Sequence, residues 1–208
     1  EFGLDKIIDM TRRLVHKKFT PLTHHSRGER FRMLLEELGP TFIKIGQILS
    51  VRPDLIPHDL IAELSKLQDH VSYVSFDGIK SQIETDLKSP VDTQFLSVDP
   101  APIAAASIAQ VHRAVLKGGE QVVIKIQRPG VAEKIYTDLD ILAFAARVAQ
   151  QKSHWAKIYD FEGIVSEFDF IIREELDFSL EAQNMSAFRT CFAGNASLYF
   201  PKVYDALT

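Results

Sequence analysis

The stretch from Ala104 to Val131, AAASIAQVHRAVLKGGEQVVIKIQRPGV, limits what the rest of the chain can fold into. Val111, Ala114, Val115 and Leu116 read as one strand, Lys117-Gly118-Gly119-Glu120 as a tight turn, and Gln121 to Gln127 as a second strand. Strand alternation puts Val122, Ile124 and Ile126 on one face of the second strand, and Val123 and Lys125 on the other. The apolar face needs a core. The lysine face needs either water or an anion. A run of small residues, Ala104 to Ala109, leads into the hairpin.

A lysine flanked by apolar residues, on a hairpin that follows a small-residue loop, is the plan of a protein-kinase nucleotide lobe. There the loop reads G-x-G-x-x-G-x-V and the lysine lies in V-A-I-K. Laid on that template, Ala104, Ala106, Ala109 and Val111 fall on the three glycines and the valine. Every glycine has become alanine, with Ala105 and Ser107 between them. On the hairpin alone, an alanine segment that merely packs and a lysine that merely sits in water explain the pattern about as well.

The totals narrow the classes. A chain of 208 residues with 46% hydrophobic content can bury a real core. A net charge of -4 argues against a general nucleic-acid binder. Cys191 is the single cysteine, which excludes an internal disulfide, and no Cys/His cluster has metal-ligand spacing. The pair His24-His25 reads as a solvated turn rather than a ligand pair. No signal peptide is visible, and the most apolar helical run, Ile141 to Ala149, is short and carries Arg147. The chain is therefore expected not to span a membrane itself. It opens on Glu1 rather than Met, and is expected to be a piece of a longer product.

Residues 1 to 20 read as an amphipathic helix with Leu4, Ile7, Ile8, Leu14 and Val15 on its apolar side. Arg12, Arg13, Lys17 and Lys18 on it could touch anionic lipid, although a solvated face is the commoner role of such a cluster. Ser26-Arg27-Gly28-Glu29 has the form of a capping box, and Phe31, Leu34, Leu35 and Leu38 mark the helix it opens. Gly39-Pro40 ends that helix and starts the next, about Pro40 to Val51, which carries Lys44-Ile45-Gly46-Gln47. Lys44 and Gln47, three apart, share a face. Gly46 costs a helix interior about 1 kcal/mol against alanine, so it is expected to permit a close approach. Further helices are marked by Leu60, Ile61, Leu64 and Leu67, and by Phe76, Ile79, Ile83 and Leu87.

After Pro129-Gly130 a long helix is predicted from Val131 to about Lys152, with Ile135, Leu139, Leu142 and Val148 inward. Asp160 is the expected N-cap of another, running from about Phe161 toward Phe188. That segment is acidic, with Glu162, Glu167, Asp169, Glu174, Glu175, Asp177 and Glu181 against Arg173. On one continuous helix Glu175 and Asp177 do not face alike, whereas Asp177 and Glu181 do, so Glu175 and Glu181 must serve different partners. An edge strand is predicted from Leu198 to Tyr204, with Pro201 at a permitted position.

At this point a family resemblance is specific. Lys44-Ile45-Gly46-Gln47 matches the K-x-G-Q motif of the UbiB/AarF family of atypical, protein-kinase-like proteins. Residues 104 to 112, AAASIAQVH, look like its alanine-rich loop, VVIKIQRPGV resembles its lysine strand, and Glu175-Leu176-Asp177 matches its E-x-D motif. The similarity runs from about Arg27 to Tyr204, with the motifs in the family's order.

The resemblance implies an α+β fold: a helical extension over residues 1–90 carrying K-x-G-Q, packed on a kinase-like small lobe over 91–208. That lobe has an antiparallel sheet, an inserted helix and a glutamate-bearing helix, and the large lobe is expected to lie outside this chain. Lys125 and Glu181 would be the catalytic pair, with the lysine on the nucleotide's α- and β-phosphates. Ala104, Ala105, Ala106, Ser107, Ala109, Val111 and Val123 would line the nucleotide site. Lys44 and Gln47 would be regulatory, the lysine meeting Glu175 or Asp177. In the family the alanine loop goes with altered nucleotide preference and suppressed protein-kinase activity, and the extension packs across the protein-substrate entrance. The implied cofactor is ATP or ADP with Mg, whose ligands are expected elsewhere in the protein, because no catalytic-loop or D-F-G aspartate is found in these residues.

The implied role is an ATP-dependent helper of ubiquinone or other prenyl-quinone biosynthesis. It would act in the cytoplasm or an organelle at the edge of a membrane, with lipids, quinone precursors or biosynthetic enzymes as partners. The segment alone is expected to be inactive. Two other classes remain: a true protein kinase, told apart by phosphate transfer to a polypeptide, and a helical scaffold that binds no nucleotide.

Overall fold

The computed structural model describes residues 25–67 and 73–208. The helix expected over residues 1–20, with its basic cluster, lies outside them. The described chain begins with α1 (Arg27–Leu38), α2 (Pro40–Ser50) and α3 (His58–Leu64). The capping box is formed: Ser26 Oγ accepts from the Glu29 N–H at 3.2 Å, and the Glu29 carboxylate accepts from the Ser26 N–H at 2.7 Å. That second bond holds the Glu29 pKa below its ordinary value. Gly39, at φ 103°, turns the chain into α2, where Pro40 supplies the first helical residue. Gly46 is the close approach its sequence context implies. A Cβ there would stand 2.3 Å from Leu67 Cδ1 and 2.8 Å from Leu35 Cδ1. Leu35, Leu64 and Leu67 form a small core with Phe31, Phe42, Leu49 and Ile56 around it.

Next come α4 (Phe76–Leu87), the single-turn α5 (Val91–Gln94) and the strands β1 (Phe95–Ala105), β2 (Ala109–Leu116) and β3 (Gln121–Gln127). They make one antiparallel sheet in the order β1-β2-β3. The turn and the second strand, Gln121–Gln127, fall as predicted, and the first strand begins earlier, at Ala109. Strand β1 has no counterpart in the sequence reading, because Asp99, Pro100 and Pro102 argue against a strand. It survives at an edge, where Pro needs no ladder donor, and its register slips between Val98 and Pro102.

The sheet has one core on its α4 face, and a second, helical core meets it at the start of β2, through Ile108 and Ala109. On the α4 face Val122, Ile124 and Ile126 join Ala114, Leu116 and Phe95 against Ile79 and Ile83 of α4. Within this side Gln110 and His112 are fully buried and fully used. Gln110 pairs with both backbone groups of Val74 and its Nε2 lies 2.9 Å from His112 Nε2, while His112 Nδ1 meets the Asp99 carbonyl at 2.7 Å. With the Gln110 amide donating, Nε2 of the imidazole accepts and Nδ1 carries the proton.

After the sheet come α6 (Val131–Lys152), α7 (His154–Ile158), α8 (Phe161–Leu176) and α9 (Phe178–Cys191). Ile135 and Leu139 of α6, Phe168, Ile172 and Leu176 of α8, and Ile45 of α2 form the helical core. Thr41 of α2, fully buried, donates to Asp138 of α6 at 2.6 Å, which Lys134 also approaches at 3.1 Å. Asp160 caps α8 as expected, its carboxylate accepting from the Gly163 N–H at 3.2 Å.

Two expectations are corrected. The helix drawn from Phe161 toward Phe188 is two helices, broken at Asp177, which is the last cap of α8 and the N-cap of α9. Its carboxylate accepts from both the hydroxyl (2.5 Å) and the N–H (2.9 Å) of Ser179, a local bond that competes with helix continuation. The edge strand expected over Leu198–Tyr204 does not form. Pro201 lacks a donor in the middle of the run, the Leu198 N–H turns back to the Asn195 carbonyl, and the segment adds no strand to the sheet. Tyr204 and Leu207 instead pack against the α4 side of the sheet.

Candidate functional site

The register of the sheet assembles the expected loop and lysine. Ala104, Val111 and Lys125 are direct cross-strand neighbours, and such partners share a face. Val123, two residues before Lys125, lies on the same face and is 63% exposed. This face is opposite the α4 core and is partly open, with an apolar strip and one ammonium on it.

Lys125 forms an ion pair with Glu181 of α9, across 56 residues of sequence. Its Nζ also lies over the Phe178 ring, 4.3 Å from the centroid. Phe178 is three residues before Glu181, one turn away on the same side of α9. Both charged side chains remain well exposed, at 39% and 50%. An exposed pair contributes about 0–1 kcal/mol to stability, so the arrangement is open to a competing anion.

Lys44 of α2 meets Glu175 of α8 at 2.5 Å. Of the two acids left open by the sequence, Glu175 is the partner, while Asp177 is occupied as a cap. Hydrogen bonds from the Ser179 hydroxyl and N–H hold the Asp177 pKa below the ordinary carboxylate value. Gln47 goes elsewhere, donating to the Leu67 carbonyl at 3.0 Å. A second bridge, Arg52 to Glu167 at 3.2 Å, lies eight residues beyond Lys44 and eight before Glu175, the registry of antiparallel rods. The inference that Glu175 and Glu181 serve different partners holds, although on two helices rather than one. Glu174, Glu175, Asp177, Leu180, Glu181 and Asn184 line one open cleft, so the two ion pairs border the same acidic hollow.

The expected loop is largely strand: Ala104 and Ala105 end β1 and Ala109 opens β2, so residues 106–108 alone join them. The Ala106 N–H donates to the Ala109 carbonyl at 2.8 Å, and none of its residues has positive φ. Ala104 is exposed, Ala105 and Ala106 are half-buried, and Ser107 and Ala109 are buried. Three contributors were not singled out from sequence. Ile108, at the tip, is 4% exposed. The Arg128 side chain donates to the Ala106 carbonyl at 3.4 Å, and partial burial lowers the pKa of its guanidinium. Gln127 Nε2 donates to the Leu176 carbonyl at 2.5 Å. Gln127 was legible in principle, since it shares the Lys125 face; the others carry no local signal.

A lysine strand paired with a glutamate helix, behind a tight loop, defines a protein-kinase-like small lobe with an added helical layer. The sequence profile of the ABC1 atypical kinase-like domain matches residues 66–208, and the chain belongs to that family. It is 42% identical over 187 residues to the probable protein kinase UbiB of Cellvibrio japonicus, covering 90% of this chain and 34% of that protein. The probable protein kinase UbiB of Pseudomonas fluorescens Pf-5 is 45% identical over 181 residues, with 86% and 34% covered. Among solved structures, the erythromycin complex of Rv3197 from Mycobacterium tuberculosis superposes with a TM-score of 0.55 at 26% identity, covering 93% of this chain and 46% of that one. The chain thus spans about a third of the length of the curated relatives it matches. It is part of a protein of the ABC1 atypical kinase-like family.

Proposed function

We propose that this segment is the nucleotide-holding part of an atypical kinase or ATPase that supports ubiquinone or other prenyl-quinone biosynthesis at a membrane. The observation that carries the proposal is the Lys125–Glu181 pair, set on the sheet face that also bears Ala104, Val111 and Val123. In this reading Val111 and Val123 face the base, Lys125 engages the α- and β-phosphates, and Glu181 with the Phe178 ring keeps the ammonium aimed. Loop 104–109 offers backbone rather than side chains, because the Ser107 side chain is turned inward. Residues 1–90 act as the extension and 91–208 as the lobe, with α4 backing the sheet.

Four carboxylates border the cleft, so a bare polyphosphate would be repelled, and a Mg-nucleotide is the fitting form. Among the described residues no three His, Cys, Asp or Glu side chains converge as a metal set. Mg is assigned to the nucleotide phosphates and to the catalytic-loop and D-F-G acids that the resemblance implies elsewhere in the protein. Lys44–Glu175 ties α2 to α8 at the rim of the cleft and is the proposed regulatory contact. Membrane contact is assigned to the whole protein; no described helix is long and apolar enough to cross a bilayer.

The test titrates ATP-Mg and ADP-Mg into the full-length protein and its Lys125→Met variant, and measures quinone content in cells carrying each. Binding by the native protein, weakened at least about tenfold by the substitution, is expected, since a charge-assisted phosphate contact is worth about 1.5–3 kcal/mol. Quinone content should fall with it. Equal affinity in both proteins would overturn the assignment of Lys125.

A further inference from the structure

The loop, α2 and the E-x-D segment each contribute buried apolar side chains to the same core. Ile108 comes from the tip of loop 104–109, Ile45 stands next to Lys44, and Leu176 stands next to Glu175. Ala109, Val131, Ile135, Leu139, Phe168 and Ile172 complete its buried members. The backbone reinforces it. The Arg128 N–H donates to the Ile108 carbonyl at 2.9 Å, and Gln127 Nε2 reaches the Leu176 carbonyl at 2.5 Å from two residues beyond Lys125.

We propose that Ile108 is a positioning residue, a knob that couples the nucleotide loop to the helix bearing Lys44, so that the loop's conformation depends on whether the Lys44–Glu175 pair is made. The proposal rests on the nucleotide reading above for its consequence, but not for its mechanics. A close-packed interior does not deform smoothly; a shift of α2 must be taken up by its neighbours in the cluster. Ile45 cannot follow a moving Lys44 without disturbing the cluster that holds Ile108. Ile108 in turn cannot leave while its carbonyl is held by Arg128 and the Ala106–Ala109 bond closes the loop. Release of α2 from α8 and loosening of the loop are therefore one event. The nucleotide is held less tightly when the pair is broken.

The test is a double-mutant cycle in the full-length protein, with Lys44→Ala, Ile108→Ala and both together, each checked for its folding transition. Ile108→Val serves as a milder second variant if the alanine fails to fold. Each single change should weaken ADP-Mg affinity about threefold or more, and the double no further than the weaker-binding single, because coupled sites do not add. Amide exchange without nucleotide should show faster exchange at Ala106 and Arg128 in Lys44→Ala. If the two effects multiply, or if Lys44→Ala leaves both affinity and loop exchange unchanged, the coupling is overturned and Ile108 only packs. If the native protein binds no nucleotide, the functional reading fails, and the exchange arm still decides the coupling.

Discussion

At the scale of single residues, the informative positions are those where a general rule is broken for a local reason. Gly46 sits inside α2, where alanine would favour the helix by about 1 kcal/mol. The space is absent, since Leu67 and Leu35, both buried, stand within 2.8 Å of the missing Cβ. Overpacking of this kind costs about 1–3 kcal/mol, so Gly46→Ala should destabilise by about 1 kcal/mol net. Chemical denaturation checks it, and a variant as stable as the native protein would show that the two leucines yield freely. Phe178 is the opposite case, a residue with no motif to announce it that lies 4.3 Å from the Lys125 ammonium. Phe178→Leu keeps an apolar side chain but removes the ring, at a cost of about 0.5–1 kcal/mol for an exposed cation–π contact. The expected outcome is a nucleotide affinity loss of about two- to fivefold by calorimetric titration, with Phe178→Tyr close to native.

At the scale of elements, what the sequence made legible follows the strength of its local chemistry. The Gly118-Gly119 turn, the Ser26 box, the Gly39-Pro40 junction, Gly130 and Asp160 set boundaries that the structure keeps. The misses are tertiary. Strand β1 exists because β2 offers it a ladder, against its own prolines. Periodicity carries straight through Asp177, where a two-residue bond to Ser179 wins and re-aims the chain, so the cap that separates Glu175 from Glu181 was not visible. That cap has a pH signature. Its folded-state pKa lies below the ordinary 3.8, so it stabilises α9 above that value, and the contribution is lost as pH falls through the lowered folded pKa. The Ser179 amide resonance should titrate with a midpoint below 3.8, and Asp177→Asn, which keeps an acceptor, should remove the step. A midpoint at or above the ordinary value would mean that the cap is not made in solution.

At the scale of the whole molecule, the sheet core and the helical core have different duties. The α4 side, with Gln110 and His112 fully satisfied, is a foundation. The helical side ends at the cleft and includes the loop tip, so a change in loop stiffness belongs to the entire layer rather than to the loop alone. Ala106→Gly in the full-length protein tests this. No loop residue has positive φ, so glycine relieves no strain there; it only widens the unfolded and opened ensembles, at about 0.4–1 kcal/mol. The Ala106–Ala109 bond and the Arg128 contact should then open more often, giving faster exchange at Ala106 with the Lys44–Glu175 pair intact. If alanine holds the loop away from the pose of a glycine loop, the relative affinity for ATP-Mg and ADP-Mg should change and phosphate transfer onto the protein itself should rise. Titration of both nucleotides against both proteins, with a transfer assay alongside, gives the answer. Unchanged affinities together with a slightly lowered unfolding temperature would mean that the alanines only pack the end of β1.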